Sequence, residues 1–116
     1  MVSFDEFADM LDLAIDRIPL DYLGALTGGF NLQEEAKKEG DYYIMGEYIE
    51  EYPLGCFIMF YFGSFVAVLK EESLGTWEDE VIETVLHELQ HHLESLAGSE
   101  ELARQEIEDL RKAINN

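Results

Sequence analysis

Two histidines four residues apart, with a glutamate directly after the first, are the residues of this chain best suited to chemistry. They are His87, Glu88 and His91, in the run His87-Glu88-Leu89-Gln90-His91. On a helix, positions i and i+4 lie one turn apart on the same face, so two imidazoles can converge on one ion. The H-E-x-x-H spacing suits zinc, held at about 2.0–2.1 Å by each nitrogen. Glu88 would stand beside the metal as general base, take a proton from its bound water and pass it to the leaving amine. A catalytic zinc needs a third protein ligand. Glu94 is the nearest candidate, because it shares the face and helical side chains lean back towards the N-terminus. Glu100, Glu101 and Glu106, returning from the last helix, are the alternatives. The residues thus point to a zinc-dependent peptidase acting on a peptide or protein substrate. Two other readings stand beside it: a non-catalytic metal-binding or protein-interaction module, and a metal-free module whose acidic face carries the function.

The positioning elements follow from periodicity. Residues 77–97 read as one helix, capped by Thr76, with Glu78, Asp79 and Glu80 at its positive end and Gly98 closing it. At about 100° per residue, Ile82, Val85, Leu86, Leu89, Leu93 and Leu96 fall within an arc of roughly 100°, the expected buried stripe. His87, His91 and Glu94 lie on a separate arc, and Glu88 on the far flank of His91. His92 points to the edge of the leucine stripe, as a flanking residue. An N-terminal helix over 4–17 carries the stripe Phe4, Phe7, Leu11, Ala14, Ile15 and Ile18, with Ser3 and Glu6 as a capping box and Pro19 as its stop. A last amphipathic helix spans 100–113 behind Ser99.

Between them, 56–62 is apolar without alternation, as in a strand covered on both faces. Gly63-Ser64 reads as a turn and Phe65–Leu69 as a second strand or short helical turn. Glu34–Lys38 reads as a polar helical turn or loop, and 42–49 as strand-like but broken by Gly46. Residues 57–61 or 42–49 could offer an edge to an extended peptide. Tyr43, Tyr48 and Tyr61 are candidate donors to an oxyanion, although a packing or surface role is the better reading of each.

Composition bounds the rest. With 116 residues the chain is long enough for one domain, 1–116, with a modest core. Asp and Glu number 26 against 7 Lys and Arg, a net charge of -19. That field repels phosphate backbones and anionic lipid, so neither nucleic acid nor membrane is expected, and it favours basic peptides. Cys56 is the single cysteine, which fits a reducing compartment. The acidic N-terminus lacks a basic n-region, so the expected location is cytoplasmic.

Along Val81–His92, above all Thr84-Val85-Leu86-His87-Glu88 followed by His91-His92, the chain resembles the small bacterial zincin-like zinc metallopeptidases. Met45-Gly46-Glu47-Tyr48 is similar to the short Gly-x-Tyr element of that family, and Phe57–Tyr61 to the strand before its active-site helix. The resemblance implies an α+β, zincin-like fold: an N-terminal helix, a small mixed β-sheet, the active-site helix packed on it, and a C-terminal helix. It also implies a zinc-dependent protease role. The glycine and third ligand of the longer zincin motif are replaced here by Glu94 and Ala97.

Overall fold

The computed structural model describes residues 1–51, 53 and 55–115. Helix α1 (Phe4–Asp16) starts at a reciprocal cap: Glu6 N–H donates to Ser3 Oγ at 3.1 Å and Ser3 N–H to Glu6 Oε1 at 3.0 Å. A 3-10 turn (Leu20–Tyr22) leads to β1 (Phe30–Gln33). Then come β2 (Lys37–Glu39), β3 (Tyr42–Ile44), β4 (Gly46–Glu51) and β5 (Gly55–Tyr61). Three helices complete the chain: α2 (Phe62–Leu69), α3 (Leu74–Ala97) and α4 (Glu100–Ile114). This is an α+β fold with an N-terminal helix, a small mixed sheet and several helices, as the sequence implies in outline.

The sheet has the order β1-β5-β4, with β5 central, parallel to β1 and antiparallel to β4. β2 and β3 form a separate antiparallel hairpin turning at Gly40. Residues 57–61 therefore lie inside the sheet, and the exposed edge expected of either segment belongs to β4. Its hydrogen-bond parity follows from one contact. Tyr61 N–H donates to Met45 O at 3.0 Å, so these opposed residues form a bonded pair. Stepping by two along the register, Glu47, Ile49 and Glu51 share the ladder with β5, while Gly46, Tyr48 and Glu50 turn their N–H and C=O outwards. On its other flank β5 uses Cys56 O and Ile58 N–H, bonded to Gly28 N–H and Gly29 O.

The core is one hydrophobic cluster shared by α1, the sheet and all three later helices. Phe7 is its aromatic hub: its ring lies 4.8 Å from Phe65, 5.2 Å from Phe62 and 6.4 Å from Trp77. Phe7, Leu11, Ala14 and Ile18 of the expected α1 stripe are buried, with Phe4 and Ile15 at its margin. Ala103, Ile107 and Leu110 seat α4 on α3. Outside the core, Arg111 ties these two helices together, forking onto Glu83 at 3.1 and 2.9 Å and also reaching Glu108. No helix among the described residues is long and apolar enough to cross a membrane.

Several elements differ from their sequence reading. Lys37–Glu39 is a strand rather than a helical turn, because it pairs with Tyr42–Ile44 and because buried Ser64 brackets it. Ser64 Oγ accepts from Lys37 N–H at 2.9 Å and donates to Lys37 O at 3.1 Å. Gly63-Ser64 is no turn but lies in the first turn of α2, and Phe65–Leu69 takes the helical of its two expected forms. A Cβ on Gly63 would lie 2.4 Å from Ala36 N, so the glycine is there for close approach. α3 begins at Leu74, earlier than expected, since Ser73 Oγ rather than Thr76 caps it, accepting from Thr76 N–H at 3.2 Å. Gly46 opens β4 instead of breaking a longer strand.

Truncating the aromatic hub tests this packing. Phe7→Ala should lower the unfolding free energy by about 3–5 kcal/mol, read as a fall in urea midpoint at unchanged slope. A loss under about 1 kcal/mol would be a surface-like value and would contradict the placement of Phe7.

Candidate functional site

α3 carries a buried face and an outward one. The buried one holds Trp77, Val81, Val85, Leu86, Leu89 and Leu93, together with Glu88 and His92. It is rotated from the expected leucine stripe: Ile82 is only half-buried and Leu96 is exposed. His87 and His91 point outwards, away from the seam, with Nε2 atoms 3.3 Å apart and rings edge to face at 4.8 Å. The i, i+4 spacing thus brings the two imidazoles together as their positions require.

The third donor does not join them. The Glu94 carboxylate lies 3.6 Å from His91 Nδ1, the ring nitrogen opposite the one that meets His87, and its other oxygen accepts from Gln90 at 3.3 Å. Glu101 is paired with Arg104 at 2.8 Å, and Glu100 lies with them beside Gln90. Glu106 sits in a different depression with Asp21 and Tyr22. Among the described residues, no group of three or more His, Cys, Asp or Glu side chains is placed to hold a metal ion. This corrects the expectation of a zinc cofactor bound by His87, His91 and Glu94. The zinc-dependent peptidase mechanism, in which Glu88 deprotonates a zinc-bound water, and the metal-binding alternative fall with it.

Glu88 itself is placed tightly. It is 6% exposed, beneath β4. A Cβ on Gly46 would meet Glu88 Cγ at 3.3 Å, Thr84 Cγ2 at 3.1 Å and Met59 O at 3.3 Å, so the absent side chain is what lets the strand lie on the helix. Burial pushes the Glu88 carboxyl up to about 7, against the opposing pull of His91 and of the Tyr48 backbone N–H. Beside it opens a cleft of about 440 Å3 between β3–β4 and α3, lined by Tyr43, Met45, Gly46, Thr84, His87 and Glu88 among others. Arg111, clamped on Glu83, also lines it.

The remaining polar groups are committed. His92 is wholly buried rather than flanking, with Nδ1 3.0 Å from Tyr48 Oη and 3.8 Å from Cys56 Sγ, while its Nε2 finds no partner. Burial lowers its pKa and also that of His87, where the neighbouring His91 adds to the effect. Tyr61 Oη donates to Glu47 Oε1 at 2.6 Å, and Lys37 Nζ reaches the same oxygen at 2.6 Å, holding the Glu47 carboxyl below its ordinary value. Tyr43 faces Lys38, whose Nζ is 5.1 Å from its ring centre. Tyr48 and Tyr61 are therefore engaged elsewhere and do not offer their hydroxyls to an oxyanion. The edge expected of 42–49 thus falls on β4, and what the sequence did not show is which residues, Gly46, Tyr48 and Glu50, turn their backbone outwards.

No protein-family model and no curated protein matches the chain. Among solved structures it is similar to a conserved hypothetical protein from Thermus thermophilus. The two are 37% identical over 83% of this chain and 98% of that chain, with a TM-score of 0.74. The assignment to the zincin-like metallopeptidases is corrected by these results together with the non-converging donors: the likeness was sharpest at H-E-x-x-H, which by itself fixes only a helix face.

The raised pKa of Glu88 has a definite sign in stability. The unfolded group titrates near 4.5 and the folded one near 7, so the folded state holds more protons in between. Its contribution is complete below about 4.5 and is lost as pH rises through about 7. His87 and His92, with lowered values, act oppositely, adding stability as pH rises towards 6.5. Glu88→Gln isolates the carboxyl. From pH 4.5 to 8, the unfolding free energy of the native chain minus that of the variant should fall by roughly 1–3 kcal/mol. A flat difference in paired denaturation curves would refute a buried, protonated Glu88.

Proposed function

The chain belongs to the family of the conserved hypothetical protein from Thermus thermophilus, and we propose that it is a metal-free binding domain that takes an extended basic segment of a peptide or protein partner as an added strand on β4. One observation carries the reading. Gly46, Tyr48 and Glu50 direct their backbone N–H and C=O away from the sheet, alongside the cleft under Gly46. Such a row is a template for strand addition, in which main-chain hydrogen bonds give affinity and alternate side chains give selectivity.

The chemistry of the edge supports a basic partner. Glu47, Glu50 and Glu51 lie along β4 itself, within a chain of net charge -19. Glu88 stands near the Tyr48 N–H and provides an acceptor there in the free chain; a partner carbonyl would take over that donor. The side chain next to Gly46 would enter the cleft against His87 and Thr84. The same charge disfavours nucleic acid and anionic membrane surfaces. A single cysteine fits a cytoplasmic setting.

A peptide of alternating Lys and Val, with its Glu-Val counterpart, tests the proposal. The Lys peptide should shift the amide resonances of Gly46, Tyr48 and Glu50, and the Glu peptide should not bind. Glu50→Pro removes an outward N–H and leaves the β5 ladder intact, so affinity should drop at least tenfold. Glu50→Gln, which keeps that N–H, should bind more tightly than the proline variant. Resonance shifts scattered over the surface, or equal affinity for the proline and glutamine variants, would refute strand addition.

A further inference from the structure

Away from the cleft, α1 and α3 leave a furrow of about 290 Å3 between them. Met10 and Leu13 line one wall and Leu74 and Ile82 the other, with Asp9 and Glu78 on the rim. Leu13 is 67% exposed and Leu74 55% exposed, although both belong to helices whose opposite faces fill the core. A lone exposed leucine needs no explanation, but two facing each other across a furrow with an apolar floor form a patch. Leu74 and Ile82 are two turns apart, about 12 Å along the axis.

We propose that this furrow docks a basic amphipathic helix from a different protein, a surface separate from the β4 edge. The walls are two helices whose backbone groups are already bonded internally, so only side chains can be read here, and an added strand would find no ladder. A third helix laid between them presents apolar residues at i, i+3 or i+4 and i+7, which matches the length of the apolar floor. Its flanking positions would meet Asp9 and Glu78. Among the described residues Arg17 is the one cation lining the furrow, against Glu6, Asp9 and Glu78, which leaves the rim net acidic. Charge also disfavours a second copy of this chain as occupant: it would bring the same carboxylates and another net -19 against the first.

The probe is a labelled 15-residue helical peptide with Leu at i, i+3 and i+7 and Lys on its flanks, compared with a peptide of identical charge carrying Gln for Leu. The Leu peptide should bind the full chain at least tenfold more tightly than the Gln peptide. Combining Leu13→Ser with Leu74→Ser should remove that tenfold advantage at an unchanged thermal midpoint, since both side chains are exposed. Glu50→Pro on β4 should leave it intact, which separates this surface from the strand-addition site. Equal binding of the two peptides would show charge attraction alone and overturn the proposal. So would undiminished binding by the double variant, or self-association of the chain that the double variant abolishes.

Discussion

In an extended strand the side chain and the backbone polar groups reverse together at every residue, and on β4 this coupling organises the whole site. Gly46, Tyr48 and Glu50 turn to α3 with whatever side chain they have, and to the outside with their N–H and C=O. Tyr48 reaches His92, Glu50 accepts from Ser95 at 2.8 Å, and Gly46 presents only its α-carbon to Thr84 and Glu88. The three anchors that fix the strand on the helix therefore also aim its outward N–H and C=O groups at one flank. A register slip of one residue would bury Glu47 and Ile49 against α3 and turn the polar edge onto β5.

The same arrangement explains why a carboxyl and an imidazole lie under a sheet in so small a protein. Glu88 avoids the cost of a buried charge by holding its proton near neutrality, and His92 by staying neutral against the Tyr48 hydroxyl. His87 and His91 escape that cost by facing outwards. Their closeness is a property any helix gives to residues four apart. A metal centre needs something the spacing does not supply, a third donor arriving at the same point, and Glu94 instead meets the opposite nitrogen of His91.

Much of this was legible in the residues where the controlling interactions are local. The Ser3–Glu6 cap, the Gly98 stop in left-handed conformation and the Ser99 cap each involve neighbours within a few positions, and all three are found. The outward arc of His87 and His91 follows from helical arithmetic alone. What could not be read depends on distant partners. Lys37–Glu39 becomes a strand through Ser64 and the Tyr42–Ile44 pairing. The apolar run through residue 69 has no period that separates β5 from α2. Glu88 is buried because Gly46, some forty positions earlier, lets β4 settle over it. His92, at the edge of an ideal leucine stripe, is drawn inside by the same strand, while Leu96 runs beyond the sheet and is left outside.

The passage from β5 to α2 has no connecting residue: Tyr61 ends the strand and Phe62 begins the helix. Gly63 presses on the backbone of Ala36, and Ser64 clasps Lys37 immediately after. One extra residue inserted at this seam would turn every side chain of α2 by about 100° and swing Phe65 out of the aromatic hub. An added residue would be absorbed more easily at the Gly40 hairpin tip, where a Cβ would meet nothing within 4 Å. The strand-to-helix seam is a fixed splice, with no slack on either side of it.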